Sequence, residues 1–113
     1  MADLNELGIA EARDAMRKGE ASSRDITQAC LDAIDGAKAL NASCHDTAEQ
    51  AMAMADQADQ KRKAGSDEAM LGIPVAVKDL FCTKGIASQA SSRILDGFKP
   101  AYESSVTQNL WDR

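Results

Sequence analysis

Apolar residues recur at helical spacing through the first half of the chain. Ile9, Ala12 and Met16 share one face, Arg17 and Lys18 suit the negative end of a helix dipole, and Gly19 stands where a left-handed cap belongs. This predicts a helix over residues 7–18. Ser22 offers an N-cap with Asp25 three residues on, and Ile26, Ala29, Cys30, Ala33, Ile34 and Ala37 follow at i, i+3, i+4, i+7, i+8 and i+11. It is the strongest amphipathic pattern in the sequence. Thr47-Ala-Glu-Gln50 then has the capping-box form, and Ala48, Ala51, Met52, Ala55 and Ala58 predict a third helix, closed near residue 64 by Lys61-Arg-Lys63 and Gly65. Between the second and third helices, Ala42-Ser-Cys-His45 fits a short strand or a turn.

The pattern changes after Ser66-Asp-Glu. Leu71-Gly-Ile-Pro-Val-Ala-Val-Lys78-Asp-Leu-Phe81 is a β-branched run, apolar on both sides of the alternation. That is the pattern of a strand covered on both faces, as in a parallel or mixed sheet. Residues 82–102 alternate small and polar types around Gly85, Gly97 and Pro100, which predicts a loop with one helical turn near 91–95. Ser104 or Ser105 caps a last helix carrying Val106, Leu110 and Trp111, with no Gly or Pro stop signal before Arg113. The expected class is therefore α/β, with residues 1–66 mainly helical and 67–113 a strand, a loop and the start of a helix.

Composition narrows the function classes. The 113 residues make one domain or a piece of a larger one, and 44% hydrophobic with 27% charged residues excludes wholesale disorder. Aromatics are only 4%, so the core must be built from Ala, Leu, Ile, Val and Met. A net charge of -5 argues against autonomous binding of nucleic acid, so an RNA contact would need a partner. For the same reason Lys61-Arg-Lys63 reads better as a solvated helix end than as a nucleic-acid patch. No apolar run reaches the roughly 18 to 20 residues that span a bilayer. The acidic start Met1-Ala-Asp-Leu-Asn-Glu is no signal peptide, so a cytoplasmic protein without a membrane contact is expected. Cys30, Cys44 and Cys82 are an odd, widely spaced set, expected to be reduced and to bind no metal.

Among chemistry-bearing residues Lys78 stands out. An ammonium inside a two-sided apolar strand loses its hydration, which pushes its pKa down and can make it a general base. The alternative is that Lys78 lies at the strand's end, reaches out to solvent, or pairs with Asp79. His45 is the sole histidine, and nothing in the sequence favours a catalytic place for it over a surface one. Ser91 and Ser92 are either nucleophiles or turn serines, and neither is flanked by the glycines of a sharp nucleophile turn. The glycines are too dispersed for a phosphate loop or a dinucleotide fingerprint.

The segment Leu71-Gly-Ile-Pro-Val-Ala-Val-Lys78-Asp79 resembles the Gly-Ile/Leu-Pro, three hydrophobics, Lys-Asp segment of the amidase signature family. The continuation through Leu80-Phe-Cys-Thr-Lys-Gly85, Ala90-Ser-Ser-Arg-Ile-Leu95, Gly97-Phe98-Lys-Pro100 and Tyr102-Glu-Ser-Ser-Val-Thr107 is similar to one branch of it. That branch comprises the A subunits of the glutamyl-tRNA(Gln)/aspartyl-tRNA(Asn) amidotransferases. The resemblance implies a mixed sheet wrapped by helices, and a Ser-cisSer-Lys triad whose lysine is Lys78. In that scheme a neutral lysine acts through a cis-peptide serine to take the proton of a nucleophilic serine, which attacks a carboxamide and releases ammonia.

It further implies a cytoplasmic heterotrimer. Glutamine is the substrate, B and C subunits are the partners, and tRNA is met only through a partner. ATP and magnesium are expected at the partner subunit, and no cofactor or metal on this chain. The family's serine pair belongs to a Gly/Ser-rich segment that these residues do not contain, and Ser91 and Ser92 do not align with it. The expectation is an N-terminal portion of such a subunit, inactive alone. Two other readings stay open: another amidase-signature hydrolase of small amides, and a small non-catalytic helical binding module.

Overall fold

In the computed structural model, which describes residues 3–113, helix α1 runs over Ile9–Lys18. It begins two residues later than the spacing predicts because Gly8 is extended, and the Gly8 N–H donates to Glu11 Oε2 at 2.8 Å. A short 3-10 turn, Leu4–Glu6, precedes it. At its other end Gly19 adopts φ 72, and the Glu20 N–H reaches back to the Ala15 carbonyl at 2.9 Å, closing the last turn as a left-handed cap does.

Helix α2 spans Ser23–Gly36 with the predicted Ser22 cap in place. Ser22 Oγ accepts the Asp25 N–H at 3.0 Å, and the Ser22 N–H donates to Asp25 Oδ2 at 2.9 Å. A second carboxylate arrives from helix α3, Ala48–Lys63: Asp59 accepts the N–H groups of Ser23 and Arg24 at 2.8 and 3.1 Å. Negative charge at the positive end of α2 and the capture of its orphan donors act together there.

The third helix lies where its periodicity puts it, but Thr47 makes no side-chain cap. Its backbone, at φ -122 and ψ 27, lies outside the extended region of an N-cap residue, and Asp46 Oδ1 accepts the Ala48 N–H at 2.9 Å instead. Ala55 and Ala58 are the residues α3 buries.

Two compact units divide the chain, Met1–Pro74 and Val75–Arg113. The first is centred on Ala12, Met16 and Ile26, with Leu4, Leu7, Ala21, Cys30 and Ile73 packed against them. This is the aromatic-free core that the composition demands. In the second, helix α4 covers Ser105–Trp111 and is capped by Ser104, whose Oγ accepts the Thr107 N–H at 3.1 Å. Thr107 is fully buried, its hydroxyl 2.6 Å from Glu103 Oε2 and 3.1 Å from the Cys82 carbonyl. The Ser104 N–H donates to that same carbonyl at 2.8 Å.

The α/β expectation is wrong for this structure, and so is the mixed sheet that the resemblance implies. Among the described residues every regular element is helical and no strand forms. Residues 73–78 are irregular, and Ala42-Ser-Cys-His45 ends in a bend. The physical reason is that a strand exists only with a neighbour to take its alternating N–H and C=O groups. No described residue forms a ladder with this run, and turn contacts flank it: Ile73 N–H to Met70 O at 3.1 Å and Phe81 N–H to Lys78 O at 3.0 Å. Its β-branched composition reported apolar character, not pairing. No helix among the described residues is long and apolar enough to cross a membrane.

Candidate active site

Lys78 lies on the irregular stretch of the second unit and is exposed. The burial that made it unusual in the sequence is not present. What the structure supplies is a tightly bonded backbone just after it. The Lys78 carbonyl closes a turn with the Phe81 N–H, and Asp79 grips a segment ten residues away at two points. Its carboxylate Oδ1 accepts the Gln89 N–H at 3.0 Å, and its main-chain carbonyl accepts the Ala90 N–H at 2.9 Å.

The gripped segment is strained. Ala90 and Ser91 stand at φ 48 and 56, consecutive left-handed residues without a glycine. Such residues cost on the order of 1–2 kcal/mol each and persist only where neighbours over-determine them. The Ser92 N–H donates to the Gln89 carbonyl at 2.8 Å, and Gln89 Nε2 to Asp96 Oδ1 at 3.0 Å, which continues the bracing. Ser91 is exposed and Ser92 half-buried on the turn so formed. Nearby, the buried Ser88 receives the Thr83 N–H on its Oγ at 3.3 Å and donates to Ile86 O at 3.2 Å. It is a structural serine that sequence reasoning passed over.

The other candidates carry no site. His45 falls in the first unit, in the bend after Cys44. Cys30 is half-buried and burial pushes its thiol pKa up, which disfavours the reactive thiolate. Arg62 of the basic triplet is committed to the Leu71 carbonyl at 2.7 Å and to Asp67 at 3.4 Å, the behaviour of a helix terminus rather than of a polyanion patch. A cavity of about 190 Å³ in the first unit, between Leu4, Leu7, Ile26, Cys30 and Ile73, offers no titratable group beyond that thiol. Among the described residues no three or more His, Cys, Asp or Glu gather as a metal would need.

The Asp79 grip and the left-handed pair had no sequence signal, since Ala and Ser are not the residue types that announce positive φ. The lysine was marked by its setting in an apolar run. Comparison with known proteins defines the class: the Amidase family model matches residues 25–113, and the chain belongs to the amidase family.

Within that family the chain is 59% identical over 112 residues to the A subunit of the glutamyl-tRNA(Gln) amidotransferase of Roseobacter denitrificans, covering 99% of this chain. The same subunit of Ruegeria pomeroyi is 59% identical over 114 residues, and that of Jannaschia sp. 58% over 112, each over 99% of this chain. The chain is homologous to the N-terminal part of these subunits and spans 23% of their length.

Proposed function

We propose that this chain supplies the N-terminal part of the glutamine-hydrolysing A subunit of a tRNA-dependent amidotransferase, with Lys78 as its general base. The observation that carries the reading is 59% identity sustained over 112 residues. In this scheme the Lys78 amine accepts, through an intervening serine, the proton of a nucleophilic serine. The serine oxygen bonds to the glutamine carboxamide carbon, the C–N bond breaks, ammonia leaves with the returned proton, and water then frees glutamate. In this reading the serine pair and the oxyanion donors belong to the rest of such a subunit. B and C subunits, with ATP, magnesium and tRNA handled on the partner side in the cytoplasm, complete the reaction. A net charge of -5 fits a chain that does not itself hold tRNA.

The test is a chimera in which this chain replaces the matching N-terminal part of the Roseobacter denitrificans protein, assembled with its partners and assayed for ammonia release from glutamine. The chimera should be active, and Lys78→Ala should lower kcat by about 10²–10⁴-fold, the usual weight of a general base. Full activity in that variant would sink the assignment.

One observation favours a second reading. The unit Met1–Pro74 has its own helical core, as a small binding module requires. A folded chimera that assembles but releases no ammonia with Lys78 intact would favour it.

A further inference from the structure

We infer that Asp79 is a positioning residue for Lys78: by accepting the consecutive N–H groups of Gln89 and Ala90, it pins the backbone from which the lysine projects. The inference rests on the proposed role of Lys78 as general base.

A general base must be held within a fraction of an ångström of its working position, and a misplacement of about 1 Å can cost 10²-fold in rate. Lys78 has no sheet ladder to hold it and sits on irregular backbone. The fixed points are all at or after it: the turn from Lys78 O to Phe81 N–H at 3.0 Å, and the Asp79 contacts at 3.0 and 2.9 Å. Both Asp79 contacts end at the entry to the left-handed pair Ala90 and Ser91. Strain in that pair and the grip of Asp79 are two sides of one arrangement. The turn tolerates positive φ because Asp79 takes its amides, and the amides in turn hold Asp79, one residue from the lysine.

The chimera tests this with four variants. Asp79→Ala removes the carboxylate acceptor and should lower kcat for glutamine hydrolysis about 10- to 100-fold with KM within about threefold, because substrate binding is not touched. Asp79→Asn keeps an acceptor oxygen for the Gln89 N–H and should restore kcat to within about threefold of the parent. Lys78→Ala reports separately on the proposed function. If it is inactive while Asp79→Ala matches the parent, the inference fails and the proposed function stands; if Lys78→Ala is active, the function fails first.

Should Asp79→Ala not fold, adding Ala90→Gly and Ser91→Gly removes the backbone strain and restores folding. A kcat still lowered tenfold or more in that triple variant supports positioning. A return to parental kcat shows that Asp79 only stabilised the turn. Equal losses in Asp79→Asn and Asp79→Ala would also overturn the inference, since the hydrogen bond alone would not then account for the effect.

Discussion

Ser23 and Gly72 meet without room for another atom: the Ser23 hydroxyl donates to the Gly72 carbonyl at 2.7 Å, and a Cβ on Gly72 would stand 2.9 Å from both Cβ and Oγ of Ser23. Ser23 is 1% exposed and opens helix α2, so the contact fixes residue 72 against the start of that helix. Gly72 also holds φ +80, where a side chain is strained whatever the space. Gly72→Ala should therefore destabilise the first unit by about 2–4 kcal/mol, left-handed strain and overpacking together. A urea melt followed by helical circular dichroism measures it, and an unchanged midpoint would contradict the packing.

The Ser22–Asp25 box makes the stability of α2 acid-sensitive. The Ser22 hydroxyl and then its backbone N–H bond the Asp25 carboxylate and hold its pKa below the ordinary value. A depressed carboxylate contributes stability that is present above its unfolded pKa, near 3.9, and is lost as pH falls through the lower folded value. Stability should fall as pH drops below about 4. Ser22→Ala should cost about 1 kcal/mol at neutral pH and flatten the acid limb, as read from melts across pH.

Asp56 and Asp59, one helical turn apart on α3, should behave differently. Asp59 takes two orphan N–H groups of α2, whereas Asp56 pairs with exposed Arg24 at 2.6 Å. Asp59→Ala should cost about 1–2 kcal/mol, in the range of a lost helix cap. Asp56→Ala should cost under about 1 kcal/mol and converge with the parent in high salt. Equal costs would show that the cap carries no special weight.

Thr107→Val tests the second unit. It preserves volume but leaves the Glu103 carboxylate and the Cys82 carbonyl without the buried hydroxyl between them. The Cys82 carbonyl keeps the Ser104 N–H, so the loss expected is that of the hydroxyl's own hydrogen bonds, about 1–2 kcal/mol. Amide exchange at Thr107 and Gln108 should quicken in step with it.

Thiol reactivity should rank by exposure. Cys44 is exposed and Cys30 half-buried with a raised thiol pKa. A disulfide reagent at pH 8 should modify Cys44 first and Cys30 markedly later. The reverse order would show that the core around Ile26 opens easily.

What the sequence revealed divides by range. The Ser22–Asp25 cap and the Gly19 end of α1 are written in nearby residues and were legible, and Ser104 was one of the two caps the sequence offered for α4. The Asp59 cap joins residues 36 apart, and no local rule finds it. Thr47 had the right letters, yet Asp46 took the amide, because capping depends on backbone angles as well as residue type. The run at 73–78 failed as a strand for a related reason. Periodicity reports which faces avoid water, and a strand also needs a neighbour. Lys78 was legible as an oddity of residue type, although the burial that flagged it is absent. The role proposed for it comes from resemblance, not from periodicity.

The bracket around Lys78 has a kinetic consequence. Its contacts close loops of about ten residues, which form in roughly 10–100 ns. The arrangement from Lys78 to Ser92 is thus set by contiguous sequence and can assemble as the chain emerges, before any distant segment has been made. A lysine held this way is placed early and locally, by contacts within its own stretch of chain.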